Sequence, residues 1–196
     1  MSRIRLLVAG VGGQGSIRAS HIIARAAVND GLKARVGETY GAAMRGGPVA
    51  SHVKIGEGIY SPLNSRNGAD AILSLEPMEG LRNAAEYLSG DGLFLTNTET
   101  WIPYDVNIGR AEYPPLEEIT GAVGRITENV MKFDATSLAK KAGDIRTMNV
   151  VMVGALDSAL NLPVRTETLK KTVRENVPEG TVDVNVNAFE LGRKAV

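Results

Sequence analysis

A short apolar run, Ile4 to Ala9, breaks into Gly10-Val11-Gly12-Gly13-Gln14-Gly15 and gives way at once to residues with helical spacing. No other feature constrains the fold as much. A run of Ile, Leu and Val this short reads as a buried strand, and the glycines permit a turn too tight for larger residues. Ser16 stands where a helix N-cap would. Ile17, Ile22, Ile23, Ala26 and Ala27 form an apolar stripe through about Asn29, and Gly31 closes the helix. A second strand at about Lys33 to Gly37 completes a β-α-β unit, for which parallel neighbours and a right-handed connection are expected.

The chain continues in the same alternation. Thr39 to Pro48 is too glycine-rich for a helix and lacks strand patterning, so it reads as a loop before an extended Val49 to Ile55. Gly56 to Ser61 suggests a turn into a short strand. Ala71 to Leu75 reads as a buried strand before a helix at Pro77 to Leu88, with Pro77 in its first turn, and Gly90-Asp91-Gly92 turns into a strand at Leu93 to Thr96. Pro103, Pro114 and Pro115 interrupt the middle, where a strand near Val106 to Gly109 and a helix near Leu116 to Val123 are expected. A strand at Val130 to Asp134 follows. Helices are then expected at Thr136 to Ala142, at the almost wholly apolar Met148 to Leu160, at Thr166 to Val177 and near Asn185 to Lys194. Strands alternating with helices predict a three-layer α/β/α sandwich on a mostly parallel, Rossmann-like sheet, one domain over residues 1–196 without linker or repeat. Ligands of such sheets bind at the carboxyl ends of the strands, and both glycine-rich loops fall there.

Composition narrows the function. The 22 basic and 22 acidic residues cancel, so no net field gathers nucleic acid or an anionic membrane. The chain has no cysteine, which excludes disulfides, thiolate catalysis and cysteine-held iron–sulfur clusters within it. Met1-Ser2-Arg3 runs directly into the first strand without a signal-peptide pattern, and no apolar run reaches about 18 residues, so a soluble cytoplasmic protein is expected.

The glycine loop opens a helix, where backbone N–H groups can hold a phosphate or carboxylate. Glu38 lies where a ribose-binding acid of a dinucleotide fold would sit. The pattern is open to three readings: an NAD or FAD site, a site for another anion, and a structural turn. Arg45, between Met44 and Gly46-Gly47, could meet a phosphate or a partner's backbone closely, or be a solvated loop arginine. Tyr40 could stack on a ligand ring or anchor the loop. His21 and His52 lack any second ligand at metal spacing and read as structural, and Glu76 and Glu79 suit a helix start. No paired carboxylates, Ser–His–Asp order or Schiff-base lysine stands out, so no catalytic residue is assigned.

The motifs together carry a resemblance. Gly10 to Gly15, Tyr40-Gly41 with Arg45-Gly46-Gly47-Pro48-Val49-Ala50-Ser51-His52-Val53, Leu75-Glu76-Pro77-Met78-Glu79-Gly80-Leu81 and Asn187-Ala188-Phe189-Glu190-Leu191-Gly192 span the chain. It resembles the gamma-type domain of 2-oxoacid:ferredoxin oxidoreductases, the domain III type of pyruvate:ferredoxin oxidoreductase, and within that family the small beta subunits of the indolepyruvate group, with the similar gamma subunits of pyruvate and 2-oxoglutarate enzymes as the alternative. The resemblance implies an enzyme that decarboxylates a 2-oxoacid on thiamine diphosphate, passes electrons through iron–sulfur clusters to ferredoxin and releases an acyl-CoA. It places the thiamine diphosphate and cluster cysteines on a large alpha subunit, so this chain is expected to bind no cofactor alone, to be inactive alone, and to self-associate in the partner's absence. It further implies that Gly10, Gly12, Gly13, Gln14, Gly15, Tyr40, Arg45, Gly46 and Gly47 face the large subunit and the CoA phosphates. It lowers the NAD reading, because the family uses this loop without a nicotinamide.

Overall fold

The computed structural model describes residues 3–41, 43 and 45–196, with Tyr104 and Asp105 described by their backbone only. Met1 and Ser2, ahead of the first strand, and Ala42 and Met44, in the loop before Pro48, lie outside the described residues. The elements follow in the order β1 (Ile4–Val11), α1 (Ser16–Asn29), β2 (Ala34–Tyr40), β3 (Pro48–Ile55), β4 (Ala69–Ser74), α2 (Pro77–Tyr87), β5 (Leu88–Asn97) and α3 (Tyr104–Asn107). After them come α4 (Leu116–Val123), β6 (Val130–Phe133), α5 (Ala135–Ala142), α6 (Met148–Ala159), α7 (Thr166–Glu175) and α8 (Val182–Arg193).

The strands form one sheet in the order β2-β3-β1-β4-β5-β6. Neighbours from β1 through β4 and β5 to β6 are parallel. Strand β3 is antiparallel to both β1 and β2. The expected β-α-β unit is therefore corrected: β1 and β2 point the same way but are not neighbours. The connection across 41–47 is too short for the crossover a parallel pair needs, so β3 folds straight back on β2. Of the two, β3 is the more apolar and takes the interior position, while β2 is left half-exposed at the sheet edge.

Alternation along β1 separates two cores. Leu6 and Val8 face α1, α5, α6, α7 and α8, whereas Leu7 and Ala9 face α2 and α4 with Ile72, Phe94 and Val123. His52, on the second face, is buried edge-on against Tyr87, and burial pushes its imidazole pKa down.

The thick layer rests on α6 and α8. Helix α6 is buried along its first nine residues, as its apolar sequence requires. It crosses α8 at two glycines. A Cβ on Gly154 would lie 2.1 Å from the Phe189 carbonyl oxygen, and one on Gly192 would lie 1.9 Å from that of Val151. Asp157 and Arg193 pair across the same crossing at 2.8 Å. At the far edge of this layer Asp30 accepts from the backbone N–H of Arg165 at 2.7 Å, from its guanidinium at 2.5 Å and from the Thr168 hydroxyl at 2.7 Å, tying the end of α1 to the start of α7. Burial alone would raise the Asp30 carboxyl, but the bonds from Arg165 and Thr168 outweigh it and hold the pKa at about 2.

In the thin layer, Glu76 caps α2 by accepting from the Glu79 N–H at 2.8 Å, and it also accepts from the Tyr113 hydroxyl. Burial and that bond push the Tyr113 phenol well up. One buried carboxylate thus caps a helix and straps the irregular 98–115 segment to the sheet.

Several local expectations are corrected. The residue before α1 that sits in the capping position is Gly15, at φ 86°, and Ser16 is the first, buried, helical residue. No strand forms within 56–61, and 104–109 holds the short helix α3 instead of a strand. Gly90-Asp91-Gly92 does not end a turn before β5 but lies inside it as a bulge, with Ala69 opposite Leu88 and Ala71 opposite Leu93.

Gly192→Ala should destabilise the chain by about 3 kcal/mol, because both helix backbones must part. Gly121→Ala, on the open face of α4 with nothing within 4 Å, should be neutral or stabilise by up to about 1 kcal/mol. Urea denaturation with the slope held constant checks both. Asp30 is depressed in the folded state, so its contribution is present above a pH of about 4, the unfolded carboxylate value, and is lost as pH falls toward about 2. Asp30→Asn should lower stability at neutral pH and flatten its decline over that window, read from thermal midpoints between pH 2 and 7.

Candidate functional site

The pairing of β1 with β3 does not stop at Val11 opposite Pro48. Gly12 N–H donates to the Gly47 carbonyl at 2.8 Å and Gly46 N–H donates to the Gly12 carbonyl at 3.1 Å. The ladder therefore zips the two glycine-rich loops together. Gly47 has no room for a side chain, since a Cβ would lie 2.4 Å from the Ala43 carbonyl oxygen.

Within the first loop each residue has its own task. Gly10 belongs to β1, under Gln14 and Leu75, with 2.9 Å between a built Cβ and the Gln14 Oε1. Gln14 folds inward and accepts from the Val11 N–H at 2.8 Å, bracing the loop from inside. Gly13 takes φ 111° with open space around it, and Gly15 at φ 86° is packed on Asn149, whose amide donates to its carbonyl at 3.2 Å. These positive φ values are ones only glycine adopts cheaply. The N-terminus of α1 opens above the loop without a side-chain cap.

That opening lies in a cleft of about 1080 Å³ at the carboxyl ends of the parallel strands. Its walls are Gly12 to Arg18 on one side and Asp144 to Asn149 on the other, with Asn97, Thr136 and Asn185 between them. Asn97 is held by Thr136 at 3.1 Å and accepts from Ala135 N–H at 3.0 Å, so the floor is polar but uncharged. Arg18, His21, Arg25 and Arg146 line the cleft against Glu99 and Asp144. Asp144 is engaged by the Arg146 guanidinium at 2.6 Å. Bonds from the Arg146 side chain and backbone hold the Asp144 carboxyl below the usual range. Ile17, Trp101 and Ile145 face the same cleft with exposed apolar surface. A cleft whose wall arginines are partly offset by Glu99 and Asp144, with an uncapped helix start and apolar rims, can take an elongated anionic ligand with an apolar portion, or a partner's segment.

The expected residues divide. Gly12, Gly13, Gln14 and Gly15 line the cleft, with Gly10 beneath them. Gly46 and Gly47 are joined to the loop from the side. Arg45 is exposed, Tyr40 ends β2 with half its surface exposed, and neither lines the cleft. Glu38 overturns the dinucleotide reading. It lies on β2, separated from β1 by the whole of β3, and its carboxylate is 2.9 Å from His21 Nε2 on α1. The acid of a dinucleotide fingerprint needs β2 beside β1. His21, expected to be merely structural, reaches the cleft as well. Arg18, Arg146, Asn97, Thr136 and Asn149 had no sequence signal, because segments distant in the chain bring them together.

Among the described residues no group of three or more His, Cys, Asp or Glu could hold a metal ion. No helix among them is long and apolar enough to cross a membrane.

The family model for pyruvate ferredoxin/flavodoxin oxidoreductase matches residues 5–195. The chain is 42% identical over 196 residues to the indolepyruvate oxidoreductase subunit IorB of Thermococcus kodakarensis, covering all of this chain and 96% of that one. The IorB of Archaeoglobus fulgidus is 41% identical over 97% of this chain and 94% of its own. The 2-oxoglutarate synthase subunit KorC of Methanothermobacter marburgensis is 28% identical over 99% and 97%. Among solved structures, a keto/oxoacid ferredoxin oxidoreductase gamma subunit from Geobacter sulfurreducens superposes with TM-score 0.71 at 27% identity, over 97% of this chain and 96% of that one. The 2-oxoglutarate:ferredoxin oxidoreductase of Magnetococcus marinus shares the fold with TM-score 0.73 at 22% identity, over 99% of this chain but 31% of that longer one. The α/β sandwich, the family match over residues 5–195 and these relatives agree, and the chain belongs to the pyruvate ferredoxin/flavodoxin oxidoreductase family, as a subunit of a 2-oxoacid:ferredoxin oxidoreductase.

Proposed function

We propose that residues 1–196 form one gamma-type domain, the small subunit of an indolepyruvate or aryl-pyruvate:ferredoxin oxidoreductase. The step in identity carries this reading: 35–42% to indolepyruvate oxidoreductase subunits against 28% to a 2-oxoglutarate synthase subunit. A large partner subunit holds the thiamine diphosphate and the iron–sulfur clusters, since this chain has no cysteine to ligate a cluster. Thiamine diphosphate supplies the carbanion-stabilising chemistry of decarboxylation, and ferredoxin takes the electrons. This chain contributes binding surface.

The glycine loop and the α1 N-terminus hold CoA phosphates, with the cationic side chains of the cleft beside them. The Magnetococcus marinus enzyme, a relative in fold, has coenzyme A and succinyl-CoA bound. Tyr40 and Arg45, beside the cleft but not in it, meet the large subunit with Gly46 and Gly47. Exposed Trp101, Ile17 and Ile145 give the isolated chain apolar surface through which it self-associates when the partner is missing.

The tagged chain, purified from its own cells, should bring down a large cysteine-rich thiamine diphosphate protein. The complex should reduce ferredoxin anaerobically with indolepyruvate and CoA faster than with pyruvate or 2-oxoglutarate. Turnover by the chain alone would overturn the subunit reading, and preference for an aliphatic 2-oxoacid would reassign the substrate. Arg45→Ala should weaken assembly with the large subunit about tenfold, equivalent to ~1.4 kcal/mol, while the KM for CoA in the assembled enzyme stays unchanged. Titration of the two subunits and steady-state kinetics separate the two effects.

A further inference from the structure

We propose that Asn149 is a positioning residue for this cleft: its amide fixes the Gly15 peptide and so aims the backbone donors at the start of α1 toward the anionic end of the ligand. The proposal rests on the reading of the cleft as a CoA site. Helix α6 opens Met148-Asn149-Val150-Val151-Met152-Val153-Gly154-Ala155-Leu156, and Asn149 is the one side chain in that stretch with a hydrogen-bonding amide. It is 3% exposed. A buried amide is costly unless it is bonded, and an apolar residue would serve a purely packing role better.

The bond it makes is to Gly15, where Nδ2 donates to the carbonyl oxygen at 3.2 Å. The same oxygen accepts from the Ala19 N–H at 3.0 Å, the first bond of α1. The amide also occupies the space of a missing side chain, since a Cβ on Gly15 would lie 2.7 Å from Nδ2. With two donors on its oxygen and the amide against its Cα, the Gly15–Ser16 peptide cannot rotate. In a trans peptide the N–H points away from the carbonyl, so fixing the Gly15 oxygen fixes the direction of the Ser16 N–H. That N–H is one of the donors a helix start leaves without an internal partner. Asn149 also joins the two cleft walls, because the 144–149 segment carries Arg146 and the opposite wall carries Arg18.

Asn149→Asp keeps the shape but replaces the donor with a carboxylate facing the Gly15 oxygen. In the assembled complex it should weaken binding of desulfo-CoA, an unreactive analogue, at least tenfold by calorimetry, and Asn149→Ala should weaken it about fivefold. For both, kcat at saturating CoA should stay within about twofold and subunit assembly should be unchanged. Unaltered desulfo-CoA affinity in an assembled Asn149 variant overturns the proposal. Arg18→Glu tests the underlying reading. If it weakens desulfo-CoA while the Asn149 variants do not, only the positioning role falls, and if neither has an effect the CoA reading falls too. A measurement on the unaltered complex does not depend on any variant folding: desulfo-CoA should slow hydrogen exchange in the 12–18 segment about tenfold or more, and unchanged exchange there overturns the proposal.

Discussion

The site depends on one strip of backbone pairing. Strand β3 bonds to β1 along its whole length, from Ile4 opposite Ile55 to Val11 opposite Pro48, and the reciprocal bonds between Gly12 and Gly46-Gly47 continue that ladder past the end of both strands. Sheet register moves in whole residues, so the two loops cannot slide relative to one another without flipping every side chain of β3 to the wrong face. The glycine loop is consequently stiff in the direction of the sheet and open only upward, toward the cleft. The same strand removes β2 from the side of β1. A glycine pattern shared with dinucleotide folds is thereby given another use, because the acid that would hold a ribose is carried one strand too far and is occupied by His21.

Much of the fold could be read from the residues, and the reason is periodicity. The stripe of α1, the apolar strands β1 and β4, the Pro77 start of α2 and the continuous apolar α6 are all local patterns, and their positions agree with the structure to within a few residues. Helix α4 spans Leu116–Val123, the stretch its residue pattern predicts. What local patterns do not display depends on partners distant in sequence. The place of β3 between β1 and β2 follows from competition for an interior position, which no window of residues displays. The bulge at Gly90 to Gly92 looks like a turn because glycines mark both. Its role is a packing one, since a Cβ on Gly92 would lie 2.7 Å from Leu88 and 3.0 Å from the Ala69 carbonyl oxygen.

The site was half legible for the same reason. The glycine loop announces itself, whereas of the second loop Gly46 and Gly47 are joined to it from the side, and Tyr40 and Arg45 stand beside the cleft and do not line it. The opposite wall, Asp144 to Asn149, has no motif at all. The motif residues far from the cleft have packing explanations. Gly80 leaves a built Cβ only 2.1 Å from Ser74 Oγ, Gly192 lies against α6, and Glu76 is at once a helix cap and the strap of the 98–115 segment. A motif can therefore mark a family faithfully while many of its positions serve the scaffold.

The bond from Asn149 to Gly15 also has a consequence for biosynthesis. The partners are 134 residues apart in a chain of 196, and proteins are made from the N-terminus forward. The glycine loop is synthesised well before α6, yet its Gly15 peptide gains its second donor only once that helix has been made and docked. Helix α6 in turn is secured by α8, the last element of the fold. The loop that forms one wall of the cleft therefore reaches its final shape only after segments far along the chain have packed, so closing the glycine turn locally does not by itself complete that wall.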